Sequence, residues 1–119
     1  MDMMTTQASA TRRDKGRAGY HSGRAAEEIV ARHYSALGLL PCAQRWRGQG
    51  GEIDLVFRDG SEIVFVEVKK SRSFDGAAQH LGARQAARIL ATAAEFLGGE
   101  PAGELTPMRI DLALVNALG

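Results

Sequence analysis

Disulfides, clustered histidines and long apolar runs are all missing from this 119-residue chain, and each absence excludes something. The one cysteine, Cys42, forbids an internal disulfide framework, and with no second thiol or nearby histidine it reads as a small buried apolar residue. His21, His33 and His80 lie far apart and show no ligand spacing, which argues against a zinc site. No segment approaches the roughly 18 apolar residues that suggest a membrane helix. The opening MDMMTTQASATRRDK also lacks the apolar centre of a signal peptide. A reducing, cytoplasmic setting away from membranes is the expectation.

What is present is an ordinary globular composition, 45% apolar and 24% charged, enough for one domain with one core. The charges divide unevenly. Residues 1–24 hold five basic and two acidic side chains, whereas residues 25–119 hold ten and twelve. A polar tail with so little apolar surface cannot offset its ordering entropy by burial. Residues 1–20 are therefore expected to be a disordered basic tail suited to touching a polyanion, and residues 21–119 the folded domain.

From Ser22 the pattern turns helical. Ala26, Ile29, Val30, His33 and Leu37 recur at helix spacing and Gly38 stands where a helix stops, so a first helix is expected over about 23–37. On that wheel Glu28 points away from the apolar stripe, while Glu27 lies at its edge beside Tyr34. "LLPCAQRW" suits a strand with Pro41 at its start or at a sheet edge. "EIDLVF" and "EIVFVEV", joined through Asp59-Gly60, read as a β-hairpin. "ARQAARILATAAEFL" predicts a second helix with Ala87, Leu90, Ala91, Ala94 and Leu97 inward and Gly98-Gly99 at its end. "MRIDLALVN" supplies a last strand, parallel to the hairpin strand it follows because a helix crosses between them.

The hairpin carries charges that a plain hairpin does not need. By alternation Glu52 and Asp54 share a face of one strand, and Ile63, Phe65, Glu67 and Lys69 a face of the other. Glu67 follows an Ile-Val-Phe-Val run, and an unpaired carboxylate buried there costs several kcal/mol. Lys69 can compensate as a structural ion pair, although such pairs are weak stabilisers. With Asp54 added, two carboxylates beside an ammonium match the pattern that suits a hard divalent cation. Phosphodiester cleavage uses the same groups: carboxylates to hold Mg²⁺ or Mn²⁺, and a cation near the nucleophile. The backbone carbonyl of Val68 is a candidate third ligand.

"GEIDLV", a D-G turn and "VFVEVK", together with "AEEIVARHY", "RWR" and "RIDLALV", resemble the YraN-like family over about residues 23–115. These are small bacterial members of the PD-(D/E)XK endonuclease-like superfamily, related in fold to archaeal Holliday junction resolvases. The resemblance implies a restriction-endonuclease-like α/β fold, an αβββαβ core with a central mixed sheet flanked by helices. It also implies that Asp54, Glu67 and Lys69 are the D…ExK residues and that Glu27 is a helix-one acid facing the same site. Three positions depart from the pattern. Arg45 replaces an Asn that often precedes the aromatic residue, Gln85 beside Arg84 takes the place of a helix-two lysine, and "KKSR" replaces K-x-R.

Arg45, Arg47, Lys70, Arg72 and Arg84, with Gln85, are candidates for a phosphate-binding rim, and Trp46 for a stacking surface. Several basic residues flanking an acidic site make nucleic acid, DNA in the first place, the expected partner. The reading is a metal-dependent nuclease acting on DNA, branched or single-stranded substrates included. A catalytically silent nucleic-acid-binding module is the alternative, and a protein-interaction domain with a buried ion network is a third. The strand at 39–46 leaves a homodimer through edge pairing open.

Overall fold

The computed structural model describes residues 19–71 and 82–116. Helix α1 (Gly19–Ala36) leads into strands β1 (Leu40–Arg47), β2 (Glu52–Asp59) and β3 (Glu62–Ser71). Helix α2 (Ala83–Leu97) and a 3₁₀ turn (Gly103–Leu105) then precede strand β4 (Met108–Asn116). The order is αβββαβ, as expected. Of the expected tail at 1–20, all but the last two residues lie outside the described residues; those two begin α1.

The strands form one mixed sheet in the order β1-β2-β3-β4. β1–β2 and β2–β3 are antiparallel, and β3–β4 is parallel, with α2 in the crossover between the last two. The hairpin turn is Gly60-Ser61, flanked by the pair Asp59 and Glu62. Gly60 has φ 63°, a left-handed backbone at the first turn position that glycine adopts without strain. At the edge, β1 carries a bulge between Pro41 and Ala43 that leaves Cys42 without a partner across the ladder. Cys42 is consequently exposed, not buried as its residue type suggested.

Each face of the sheet is covered by one helix. Against α1, Ala26, Ile29, Val30 and Tyr34 pack on Leu55, Phe57, Val64, Val66, Ala113 and Val115. Tyr34 stacks on Phe57 at 4.9 Å between ring centroids, and its hydroxyl donates to Asp111 Oδ2 at 2.7 Å. That bond gives a fully buried phenol the partner it needs and ties α1 to β4. The inward stripe runs through Tyr34 instead of His33 and Leu37. The chain turns at Gly38 directly after the helix, leaving Leu37 half exposed and sending Leu39 into the core.

On the other face Ala93 and Leu97 of α2 pack with Ile53, Val56, Ile63 and Phe65. Phe96 sets its ring edge against both Trp46 and Phe65, at 5.3 and 5.6 Å. α2 has the expected bounds but a different inward face: Ile89, Thr92, Ala93 and Leu97 are buried, while Ala87 and Ala91 are exposed and Leu90 is 56% exposed. A helix this rich in alanine offers more than one plausible stripe, and the one carrying Ile89 and Phe96 fills more volume against the sheet. Ile89→Ala should therefore cost about 2–4 kcal/mol of stability, whereas Leu90→Ala should stay within about 0.5 kcal/mol. Urea denaturation of the two variants measures the contrast, and equal losses would restore the first stripe.

Candidate functional site

The β2–β3 ladder runs from Asp59 and Glu62 to Leu55 and Val66 and then stops. The next residues along are Asp54 and Glu67. There the ladder is replaced by a reciprocal exchange between side chain and backbone. The Asp54 amide donates to Glu67 Oε2 at 3.2 Å, and the Val68 amide donates to Asp54 Oδ2 at 2.8 Å. Two backbone donors that the splayed strands no longer satisfy are thus taken by the two acids. Each acid keeps a second oxygen, Asp54 Oδ1 or Glu67 Oε1, to which no described residue donates.

The neighbouring strand is irregular at the same level. β1 pairs Gln44 with Leu55 and Trp46 with Ile53, but the intervening rung, Arg45 with Asp54, is absent. The faces exchange across it: Leu55 lies under α1 and Ile53 under α2. Strict alternation along Glu52–Phe57 therefore fails at Asp54. Arg45 has φ 53°, a left-handed backbone uncommon for a non-glycine residue. Its Nε donates to Glu27 Oε1 of α1 at 2.9 Å, and both side chains are largely buried. The wheel position of Glu27 at the edge of the apolar stripe corresponds to a buried carboxylate, 8% exposed.

These acids act on one another. Burial first, and then the charge of Asp54, push the Glu67 carboxyl up to about 7, against the pull of the Asp54 amide and Lys69. Burial also raises Asp54, opposed by the Val68 amide, with Glu52 raising it further and Lys69 and Arg45 lowering it. Glu27 is raised by burial and by Asp54, with Arg45 opposing. Lys69 therefore influences both carboxylates, yet it forms no hydrogen bond or ion pair with a described residue. The structural Glu67–Lys69 ion pair considered from the sequence is not formed.

Glu67 opens into a cavity of about 210 Å³ lined by Gly51, Glu52, Gln85, Arg88, Ile89 and Thr92. The N-terminal half of α2 roofs it. The loop at its mouth is clamped from above, since the Gln49 and Gly50 amides donate to the two oxygens of Glu95 at 2.8 Å each. A Cβ on Gly48 would stand 2.5 Å from Glu95 Oε1, so a larger residue there would push the Glu95 carboxylate from its place on the loop amides.

The structure thus gathers Glu27, Arg45, Asp54, Glu67, Lys69 and Gln85 around one region. Others of the expected rim are not among the residues that line the cavity. Trp46 is half-buried, with one ring contact to Phe96. Arg47 is exposed and pairs with Glu52 at 3.3 Å. Lys70 is half-buried and, by alternation from Glu67 and Lys69, belongs to the α1 face. Arg84 is exposed on the first turn of α2, and Arg72 lies outside the described residues. Arg88, Thr92 and Glu52 line the cavity but were not among the site residues read from the sequence. The signal was the spacing of Gln85, Arg88, Ile89 and Thr92 at three, four and seven, hidden by the wrong choice of α2 stripe.

The family model for Uncharacterised protein family UPF0102 matches residues 26–115, which include Glu27, Arg45, Asp54, Glu67 and the helix roof. The chain belongs to this family. A UPF0102 protein of Cereibacter sphaeroides is 55% identical over 104 residues, covering 87% of this chain and 89% of its own. One of Ruegeria pomeroyi is 54% identical over 105 residues, 88% and 85% of the two chains. One of Roseobacter denitrificans is 55% identical over 104 residues, 87% and 81%. The YraN-like resemblance is borne out. No helix among the described residues of this UPF0102 chain is long and apolar enough to cross a membrane.

The raised carboxyl of Glu67 makes stability depend on pH. A folded-state value of about 7 against an ordinary 4.5 means that the native state holds the proton more tightly. Its contribution is fully present below pH 4.5 and is lost as pH rises through 7. Asp54 and Glu27, also raised, act in the same direction. In chelator, stability should fall between these limits by roughly 1–3 kcal/mol. Glu67→Gln should flatten the fall and melt higher than wild type at pH 8. Urea titrations across that range test the assignment, and a rise in wild-type stability with pH would refute it.

Proposed function

We propose that this UPF0102 protein is a divalent-metal-dependent nuclease that hydrolyses phosphodiester bonds in DNA, using Mg²⁺ or Mn²⁺. The observation that carries the reading is the Asp54–Glu67 pair, two adjacent acids anchored by backbone amides, each with an oxygen left over. Among the described residues no three His, Cys, Asp or Glu side chains converge to hold an ion by themselves. The donor set is instead two carboxylates with the Val68 carbonyl as a further oxygen. It fits an ion such as Mg²⁺, which keeps several waters and takes phosphate oxygens as ligands. The raised carboxyls are in keeping with that need: burial disfavours the charge on both, Asp54 adds to it at Glu67, and the protein's own cations offset it only in part.

In this reading Asp54 and Glu67 hold the metal, which would supply charge stabilisation and a more acidic water. The amide bonds fix both side chains before the ion arrives, so little ordering remains to oppose binding. Lys69, close enough to act on both acids yet bonded to neither, is available to orient the attacking water or to stabilise charge developing on the phosphate. Arg88 and Gln85 on the helix roof provide donors for the phosphate on the opposite side of the cavity. Glu95 keeps the 48–51 loop from closing over or leaving the entrance.

Two variants separate this reading from a buried ion network. Asp54→Asn should abolish the rise in melting temperature that millimolar Mn²⁺ gives the wild type by mass action. Lys69→Ala should keep that rise and lose at most about 1 kcal/mol of stability, since no ion pair is broken. Its single-turnover cleavage should fall by about 10²–10³, the usual cost of one transition-state donor. The assay compares linear, flapped and four-way DNAs with Mg²⁺ and with Mn²⁺. Cleavage by Lys69→Ala at the wild-type rate removes Lys69 from the mechanism. Metal and DNA binding without cutting of any substrate would instead leave a silent binding module.

A further inference from the structure

The loop between β1 and β2 is held in place from α2. The Gly48 amide donates to the Gly51 carbonyl at 2.8 Å, which closes a tight turn. The two amides inside that turn, Gln49 and Gly50, both point at Glu95 and take one carboxylate oxygen each at 2.8 Å. Among the described residues no other side chain bonds them. Gly50 lies so close to the helix that a Cβ there would stand 3.3 Å from Thr92 Oγ1 and 3.4 Å from the Ala91 Cβ. Thr92 and Arg88 line the Glu67 cavity from the helix, and Gly51 and Glu52 line it from the loop. Glu95 therefore fixes the separation of the two sides where they meet.

Resting on the nuclease reading above, we propose that Glu95 is a positioning residue that holds this cavity narrow and thereby restricts the site to single-stranded DNA, the unpaired arms of branched molecules included. Glu67, the acid that opens into the cavity, is only 7% exposed. A phosphodiester that reaches it must enter a space of about 210 Å³, below the roughly 300–1,000 Å³ of pockets that take whole small molecules. That space suits one backbone phosphate and part of its sugar, not a base pair. A free strand can bend its backbone into it. A stacked duplex carries its phosphates on a stiff helix and cannot follow them in. A clamp with a purely structural role would make the same two bonds and leave the choice of strand unaffected.

Oligonucleotides of one sequence, single-stranded or as a duplex, separate these roles by cleavage with Mg²⁺ and by fluorescence anisotropy with Ca²⁺ in its place. The wild type should favour the single strand by at least about tenfold in kcat/KM. Glu95→Ala frees the loop and should bring that ratio to within about threefold, through a lower KM for the duplex more than a higher kcat. Gly48→Ala should do the same from the loop side, because its Cβ would meet Glu95 Oε1 at 2.5 Å, while the Gly48 backbone has no positive φ for alanine to strain. Added to Glu95→Ala it should change the ratio no further, since no carboxylate is left to displace. Faster hydrogen exchange at the Gln49 and Gly50 amides shows that each variant has released the loop. Equal use of both substrates by the wild type, or an unchanged ratio in variants whose amides exchange freely, overturns the proposal and leaves the nuclease reading intact. Amides that stay protected in both variants overturn it as well. A wild type that cuts neither substrate defeats the nuclease reading instead, and anisotropy then decides this inference: a single-strand preference that Glu95→Ala loses upholds it, and the lack of one ends it.

Discussion

The exchange of hydrogen bonds between Asp54 and Glu67 is the constraint around which the rest of the site is arranged. A sheet that splays needs new partners for the amides it releases, because a buried unpaired N–H costs about 1–3 kcal/mol. Here the partners are two carboxylates, each giving one oxygen to the neighbouring strand. The same atoms therefore close the end of the hairpin and present paired negative charge. The raised carboxyl of Glu67 records the cost of burying it, to which the nearby charge of Asp54 adds.

That view also makes Lys69 unnecessary for anchoring Glu67. Had Glu67 depended on an ammonium for its burial, the lysine would be held against it, and truncation would leave a bare buried charge at a cost of about 3–5 kcal/mol. Instead Glu67 is anchored by a backbone amide that no side-chain substitution removes, and the Lys69 side chain is bonded to no described residue. A cation kept near two acids without being committed to either can interact with a third group when one arrives.

Much of this architecture was legible because it rests on local rules. The element order, the hairpin and the bounds of α2 followed from periodicity and from glycines, and Glu67 was singled out as an acid at the end of an apolar run. The misses share a cause: each depended on a departure from ideal geometry. Cys42 is outside because the Pro41/Ala43 bulge ejects it. Glu52 and Asp54 do not follow simple alternation because the strand changes faces at Asp54. The inward stripe of α2 was misassigned since alanines satisfy several wheels at once, and Arg88 and Thr92 were lost with it.

The two halves of α2 divide the work of the molecule. Ala93, Phe96 and Leu97 seat its C-terminal half on Ile53, Val56, Ile63 and Phe65, a dry contact between side chains with no polar demand. Its N-terminal half passes over Glu67, where Gln85, Arg88 and Thr92 face the acids across a small cavity. Glu95, in the C-terminal half, grips the 48–51 loop through two amides. A helix anchored at one end by apolar packing can keep polar side chains poised over buried charge at the other end. The packing energy is supplied where no chemistry is needed, and the donors are left unspent where the acids lie. α1 provides the matching support from the opposite face, through Tyr34 and Asp111, so the sheet between them is held rigid up to the point where its ladder opens at Asp54.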